Sequence, residues 1–335
     1  MRAALFFQPR RSEDAANSGA FPMKPVSRIL RATVCLAYTA FLLLQAHAAL
    51  DGAKIEQITG LKATLNEAEG VFKVTAPRGD LPVSVDGWKM PPFMGLTSWA
   101  AFMPGKGAEA MVMGDLVLFQ DEVNPVMSLA LDSGLEVTAL HNHFFFDDPK
   151  VYFMHIGGEG SLEKLAGAVK AVLDKVKAIR SAQPTPGKVF GSAFESKENS
   201  IDGSALGAVL GTKGQAKDGM FKVVIGRKSR MACGCEVGTE MGVNTWAAFA
   251  GTSDNAIVDG DFAVTEGELQ TVLKSLRGSD INIVAIHQHM TNEKPRILFL
   301  HYWGKGKATE LAAAVKRSLD AQAAITQAQE KTALR

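Results

Sequence analysis

Six of the seven histidines in the chain fall into two copies of one pattern, H-x-H-x11-H: His141, His143 and His155, then His287, His289 and His301. Alternate residues of a β-strand share a face, so each H-x-H pair sets two imidazoles about 6 to 7 Å apart on one side of a sheet. A following strand that pairs back antiparallel after the loop from Phe144 to Lys150 carries the third histidine to the same face. Three neutral imidazoles there make a facial ligand set for zinc, copper or another borderline divalent ion, with a position left for water or a small molecule.

Carboxylates recur at matching places. Asp147 and Glu293 lie in the loops nearest the histidines and are candidate general bases, while Asp115 and Asp261 are further candidates to complete the site. Glu122 and Glu268 sit where a helix begins and suit the positive end of its dipole; Lys150 and Arg296 read as solvated. Cys233-Gly-Cys235 occurs in the second half only. In an extended segment its sulfurs share a face, which suits a soft metal such as Cu(I), a reactive thiol pair or a tight disulfide, or simply two small apolar residues in a strand.

Three functions stay open on these residues. One is metal binding, in metal handling. The second is hydrolysis of an ester or phosphodiester, through metal-activated water or paired histidines as acid and base. The third is a non-catalytic envelope-interaction module whose histidines form a structural network, since duplication copies core residues too. Divergence favours a chemical role: from 141 to 155 only five of fifteen positions are identical to the counterpart, and three of the five are histidine.

The elements that must position these groups are written twice. Gly95-Leu-Thr-Ser-Trp99-Ala-Ala-Phe102 matches Gly242-Val-Asn-Thr-Trp246-Ala-Ala-Phe249, and Gly114-Asp115 matches Gly260-Asp261. A missed repeat would mislead every later step. The chain reads as a first repeat over 52–180, a Pro/Gly-bearing linker over 181–198 and a second repeat over 199–330. Each has roughly β-β-β-β-α-β-β-α order, an α+β unit with a mainly antiparallel sheet and no strict βα alternation. Within it, Val71–Thr75 and Leu81–Val85 are expected to form a hairpin, as are their counterparts near Met220–Ile225 and Met231–Val237. Asp121 is expected to cap a helix through Leu131, with Pro125 in its first turn. Leu135, Val137, Ala139, His141 and His143 are expected on one strand face. A Ser161-capped amphipathic helix ends the unit. The Trp99 and Trp246 segments read as packing rather than as ligand platforms.

Ahead of the repeats, Met23 to Ala48 combines Lys24, Arg28 and Arg31, an apolar stretch from Ala32 to Leu44, and Ala46-His47-Ala48. That is the pattern of a secretory signal peptide ending at residue 48, with 1–22 as an upstream extension. At about 13 residues the apolar run is short of the roughly 18 a membrane-spanning helix needs, and the expected mature chain is periplasmic or secreted. A net charge of +1 gives no general field for nucleic acid.

The phrases Pro91-Pro-Phe-Met-Gly-Leu-Thr-Ser-Trp-Ala-Ala-Phe, Val112-Met-Gly-Asp-Leu-Val-Leu, Glu122-Val-Asn-Pro-Val-Met, Val137-Thr-Ala-Leu-His-Asn-His and Phe299-Leu-His-Tyr-Trp-Gly resemble the LppY/LpqO family of exported bacterial proteins. The resemblance spans nearly all of both repeats. It implies export and a duplicated domain, and it brings no activity with it. The named mycobacterial members are lipoproteins; Cys35 lies in the middle of the apolar run without the residues of a lipid-attachment motif, so a membrane tether does not carry over.

Overall fold

The computed structural model describes residues 50–190 and 198–333; the signal-peptide pattern lies outside them. In the first repeat the order is α1 (Gly52–Thr59), β1 (Thr64–Asn66), β2 (Val71–Pro77), β3 (Ser84–Val85), β4 (Trp88–Lys89), β5 (Thr97–Pro104), β6 (Ala110–Phe119), α2 (Gln120–Asp132), β7 (Glu136–His141), β8 (Asp147–Asp148), β9 (Val151–Gly160) and α3 (Leu162–Ala182). The second repeats it with α4 (Gly203–Leu210), β10 (Gln215–Lys217), β11 (Met220–Gly226), β12 (Ser229–Arg230), β13 (Glu236–Val237), β14 (Asn244–Gly251), β15 (Ala256–Thr265), α5 (Glu266–Arg277), β16 (Asn282–His287), β17 (Ile297–Gly306) and α6 (Ala308–Ala333).

Twelve strands form one antiparallel sheet in the order β1-β2-β5-β6-β9-β7-β16-β17-β15-β14-β11-β10. The repeats meet at its centre, where Leu140 of β7 pairs with Ile286 of β16. The fold is α+β, and the described residues of the two repeats form one compact unit. One face of the sheet carries the helices: Leu116, Leu118, Leu140, Ile156, Phe262 and Leu300 pack with Val126, Val169, Val272 and Val315 in a single buried cluster that runs through both repeats.

Two amide side chains clamp the repeats together. Asn124 on α2 accepts from Ile283 N (2.8 Å) and donates to Ile283 O (3.1 Å). Gln270 on α5, its counterpart, makes the same pair of bonds to Val137 N and O, both at 3.0 Å. Each serves the backbone beside a register shift, between Val137 and Ala139 or between Ile283 and Ala285. These bulges correct the expected strand face: one extra residue flips the alternation. Val137 and Leu140 therefore enter the helix-side core, while Ala139 and His141 point to the other face, level with His155 and Phe153.

The expected hairpins do not form. β2 pairs with β1 and β5, and β11 with β10 and β14. After β2 the chain leaves the sheet at Arg78, whose N–H bonds to Leu96 O (2.8 Å), closing the base of a long excursion; Arg227 N and Val243 O do the same in the second repeat. The excursions lie on the helix-free face. Val83 and Leu96 cover Val117, Phe119, Val151 and Phe153, and Val237 and Val243 cover Ala263, Ile297 and Phe299. Burying those strand side chains is the physical reason for the departure.

Asp121 does not cap α2. The helix starts at Gln120, and Glu122 accepts from Phe119 N at 2.8 Å, while Asp121 pairs with Arg180. Pro125 consequently falls in the second turn. Glu122 is fully buried between Arg78 and Arg180, and Glu268 between Arg227, Gln322 and Thr326. Burial alone would raise the Glu268 carboxyl, but Arg227, Thr326 and the Thr265 N–H hold it down at about 2.

Candidate metal centre

The helix-free face carries the same row of four residues in each repeat. Across β5, β6, β9 and β7 the cross-strand partners are Trp99, Asp115, His155 and Ala139. Across β14, β15, β17 and β16 they are Trp246, Asp261, His301 and Ala285. Directly opposite residues of an antiparallel pair share a face. One step along, His141 sits opposite Phe153 and His287 opposite Phe299. The third histidine lies just past the strand end and is held by stacking: the His143 ring is 3.3 Å from Phe153 and the His289 ring 3.4 Å from Phe299, centroid to centroid. Antiparallel return of β9 and β17 thus gathers the H-x-H-x11-H residues as their spacing predicts, with His141 5.2 Å from both His143 and His155.

The second repeat is the more tightly drawn. Asp261, His287 and His289 each offer a ligand atom, all within 4.8 Å of one another. His287 Nε2 and His289 Nε2 are 3.1 Å apart, and His289 Nε2 is 3.5 Å from Asp261 Oδ2. Metal–nitrogen bonds of about 2.0 to 2.1 Å in a tetrahedron put ligand atoms about 3.3 to 3.4 Å apart, so these separations are those of edges around one ion. His301 stands further out, its Nε2 4.0 Å from Asp261 Oδ2 and its ring stacked flat on His287 at 4.9 Å.

Backbone carbonyls select the nitrogen that faces inward. The Nδ1 of His289 lies 3.2 Å from Gly242 O, and that of His301 lies 3.3 Å from Gly260 O. A ring that donates from Nδ1 keeps its lone pair on Nε2, the usual outer-sphere arrangement of a ligating histidine. Burial first, then His301 and His289, push His287 down to about 4. Burial, His141 and His155 lower His143 against the opposing pull of Asp115. Burial raises Asp261 even though His301 and His289 favour its charge. Asp115 Oδ1 and Asp261 Oδ1 are buried without a hydrogen-bond partner, and so is His287 Nδ1. Orphaned carboxylate oxygens beside the inward-facing imidazole nitrogens are the donor chemistry of a cation site.

Asp115 and Asp261, secondary on sequence grounds, therefore stand at the centre, level with the outer histidine of each repeat. Asp147, in β8, and Glu293, at the matching place ahead of β17, are buried: Asp147 Oδ2 accepts from Val151 N (2.7 Å) and Glu293 Oε1 from Ile297 N (3.1 Å), bonds that fix the entry to β9 and β17. Lys150 and Arg296 are exposed. Trp99 and Trp246 are half-buried at the site's edge rather than in the core, with Lys73 and Lys222 over their rings at 4.4 and 4.3 Å, and Trp246 edge-on to His301 at 6.5 Å. The matched glycines Gly114 and Gly260 leave no room for a side chain, since a Cβ would lie 2.7 Å from Trp99 O or 2.1 Å from Tyr302 Oη. Cys233 and Cys235 are exposed free thiols in the turn between β12 and β13, not small apolar residues within a strand.

Two segments, 53–175 and 204–321, match the family described as Domain of Unknown Function (DUF1259). The chain belongs to that family, and carries its domain twice. No curated protein sequence matches it. Among solved structures, the trimeric bacterial microcompartment shell protein PduB is similar over 77% of this chain and 89% of its own, at 13% identity and a TM-score of 0.21. The double-ringed trimeric shell protein MSM0271 from the RMM microcompartment is similar over 76% and 95%, at 11% identity and a TM-score of 0.18. Such scores carry no argument about function.

Proposed function

We propose that this duplicated DUF1259 protein is an exported binder of a divalent transition metal, zinc or copper, with one site per repeat. In the second repeat Asp261, His287 and His289 would hold the ion and His301 would close on it. Asp115, His141, His143 and His155 are the corresponding set in the first. The observation that carries the reading is the convergence of Asp261, His287 and His289, their ligand atoms within 4.8 Å of one another and His289 Nε2 at 3.1 and 3.5 Å from the other two. His287 Nε2 and His289 Nε2 face each other at 3.1 Å, and with both Nε2 atoms deprotonated the two rings would offer their lone pairs to one ion. The donor set is imidazole plus one carboxylate, the chemistry of zinc and copper rather than calcium or magnesium. Export follows from the leader pattern and the resemblance to the LppY/LpqO family. Among the described residues no helix is long and apolar enough to cross a membrane.

Hydrolysis is the second reading. The His289 and His301 side chains are 36% and 41% exposed, so an ion held there would be open to water and to a small ester. Metal analysis of untagged protein after dialysis tests the first reading: about two equivalents in the parent, one after His143→Ala or His289→Ala, and none in the double variant. Metal-free parent protein, or an unchanged count in the double variant, would remove it. A screen of ester and phosphodiester substrates with the same variants separates binder from hydrolase.

A further inference from the structure

The Cys233-Gly-Cys235 segment belongs to neither the core nor the histidine site. Its counterpart in the first repeat is the two-residue Asp86-Gly87 turn, with both residues at positive φ (49° and 79°), joining β3 to β4. Cysteine is therefore not needed to turn the chain here; the second repeat has a longer loop, residues 231–235, that carries two exposed thiols. Two bonds close the loop, Met231 N to Cys235 O (2.9 Å) and Gly234 N to Met231 O (2.8 Å), with Gly234 at φ 84°. That closure brings Cys233 Sγ to 2.6 Å from Cys235 Sγ and turns the Cys235 N–H onto Cys233 Sγ at 3.4 Å. The mount is firm: Arg230 and Lys294 exchange both backbone bonds (3.0 and 2.9 Å), and Ser229 Oγ donates to Pro295 O (2.7 Å).

We propose that Cys233 and Cys235 form a thiol–disulfide exchange site, with Cys233 attacking and Cys235 resolving, that takes exposed disulfides as substrate. The two thiols are not equivalent. A backbone N–H aimed at Cys233 stabilises its thiolate, and the Cys235 thiol, then the backbone, lower it, whereas the same contact raises Cys235. The steps balance within the couple. The Cys233 thiolate attacks one sulfur of R–S–S–R′, forming a mixed disulfide and expelling R′S⁻. Cys235, giving up its proton to solvent, then attacks Cys233 Sγ, closing the Cys233–Cys235 disulfide and releasing RS⁻. Two thiols are oxidised and one substrate disulfide is reduced; the reverse sequence oxidises a substrate dithiol.

Oxidised glutathione is the probe, applied to the reduced, chelator-treated full chain with Cys35→Ser in every sample so that the pair alone reports. Intact-mass analysis should find that the parent loses two hydrogens and keeps no glutathione. Cys235→Ser should retain one glutathione, and acquire it about tenfold faster than Cys233→Ser does. Both positions are exposed, so the variants keep the fold. Two thiols left free under excess oxidised glutathione, a stable adduct on the parent, or equal rates for the two variants would each overturn the assignment. Metal at the histidines has no bearing on the result, since chelator is present throughout.

Discussion

Replacing Asp261 by Asn separates a metal ligand from a structural acid, because the two roles predict opposite consequences. The residue is 2% exposed, and Oδ1 has no partner. Burial raises its pKa above the unfolded value. Stability contributed by a raised carboxyl is present at low pH and lost as pH rises through the folded pKa, so at neutral pH the charge is a net cost to the metal-free protein. Asn keeps the shape and removes the charge. A buried unsatisfied polar group costs about 1 to 3 kcal/mol, and an amide recovers part of it, so metal-free Asp261→Asn should be more stable by about 1 kcal/mol. Binding should move the other way. Removing an outer-sphere partner costs about 10- to 100-fold in affinity, so loss of a direct anionic ligand should cost at least about 100-fold, or roughly 2.7 kcal/mol. Thermal unfolding with chelator and zinc titration against a competing chelator at pH 7.5 read the two effects. Unchanged zinc affinity together with a lower melting temperature would refute the reasoning.

Three further outcomes follow from the geometry. His287 is depressed to about 4 from 6.5, so the unfolded chain binds the extra proton between these values; metal-free stability should fall as pH drops from 6.5 toward 4, and His287→Gln should flatten that slope in pH-dependent denaturant melts. The Glu268 carboxyl, held at about 2, contributes stability that is present above pH 4.5 and lost as pH falls toward 2; Glu268→Gln should cost about 2 kcal/mol at pH 7 by urea unfolding, allowing for partial screening. Asn124→Ala with Gln270→Ala leaves buried backbone N–H and C=O groups unpaired in both repeats, costing about 1 to 3 kcal/mol for each single change, and hydrogen exchange at Val137 and Ile283 should accelerate.

The duplication, the α+β class and the histidine gathering were legible because each rests on local spacing: a twelve-residue step from His143 to His155 around one loop decides what returns beside what. The bulge beside Thr138 was not, since it leaves the residue types unchanged and only shifts which face they occupy. The excursion from Arg78 to Leu96 was missed for a related reason. Its first strand reads as the hairpin partner of β2, whereas β3 pairs with β4 and β8 and the excursion packs Val83 and Leu96 on the apolar strip of Val117, Phe119 and Phe153. Asp115 and Asp261 gained importance because their rank depends on cross-strand register with His155 and His301, a long-range pairing. The matched offset of 146 was the available signal.

The amide clamp at the centre has the form of a contact between identical molecules. Asn124 grips Ile283 while its counterpart Gln270 grips Val137, the counterpart of Ile283, so donor and recipient exchange roles under a half-turn. That reciprocity defines an isologous interface, in which one patch is complementary to itself. A protein half as long, with a single copy of the repeat, would meet every one of these bonds by pairing with its twin. The fused chain holds that homodimer permanently in register, at no cost in association entropy, and with its sequences free to diverge. It is that freedom which lets one half carry a thiol pair that the other lacks.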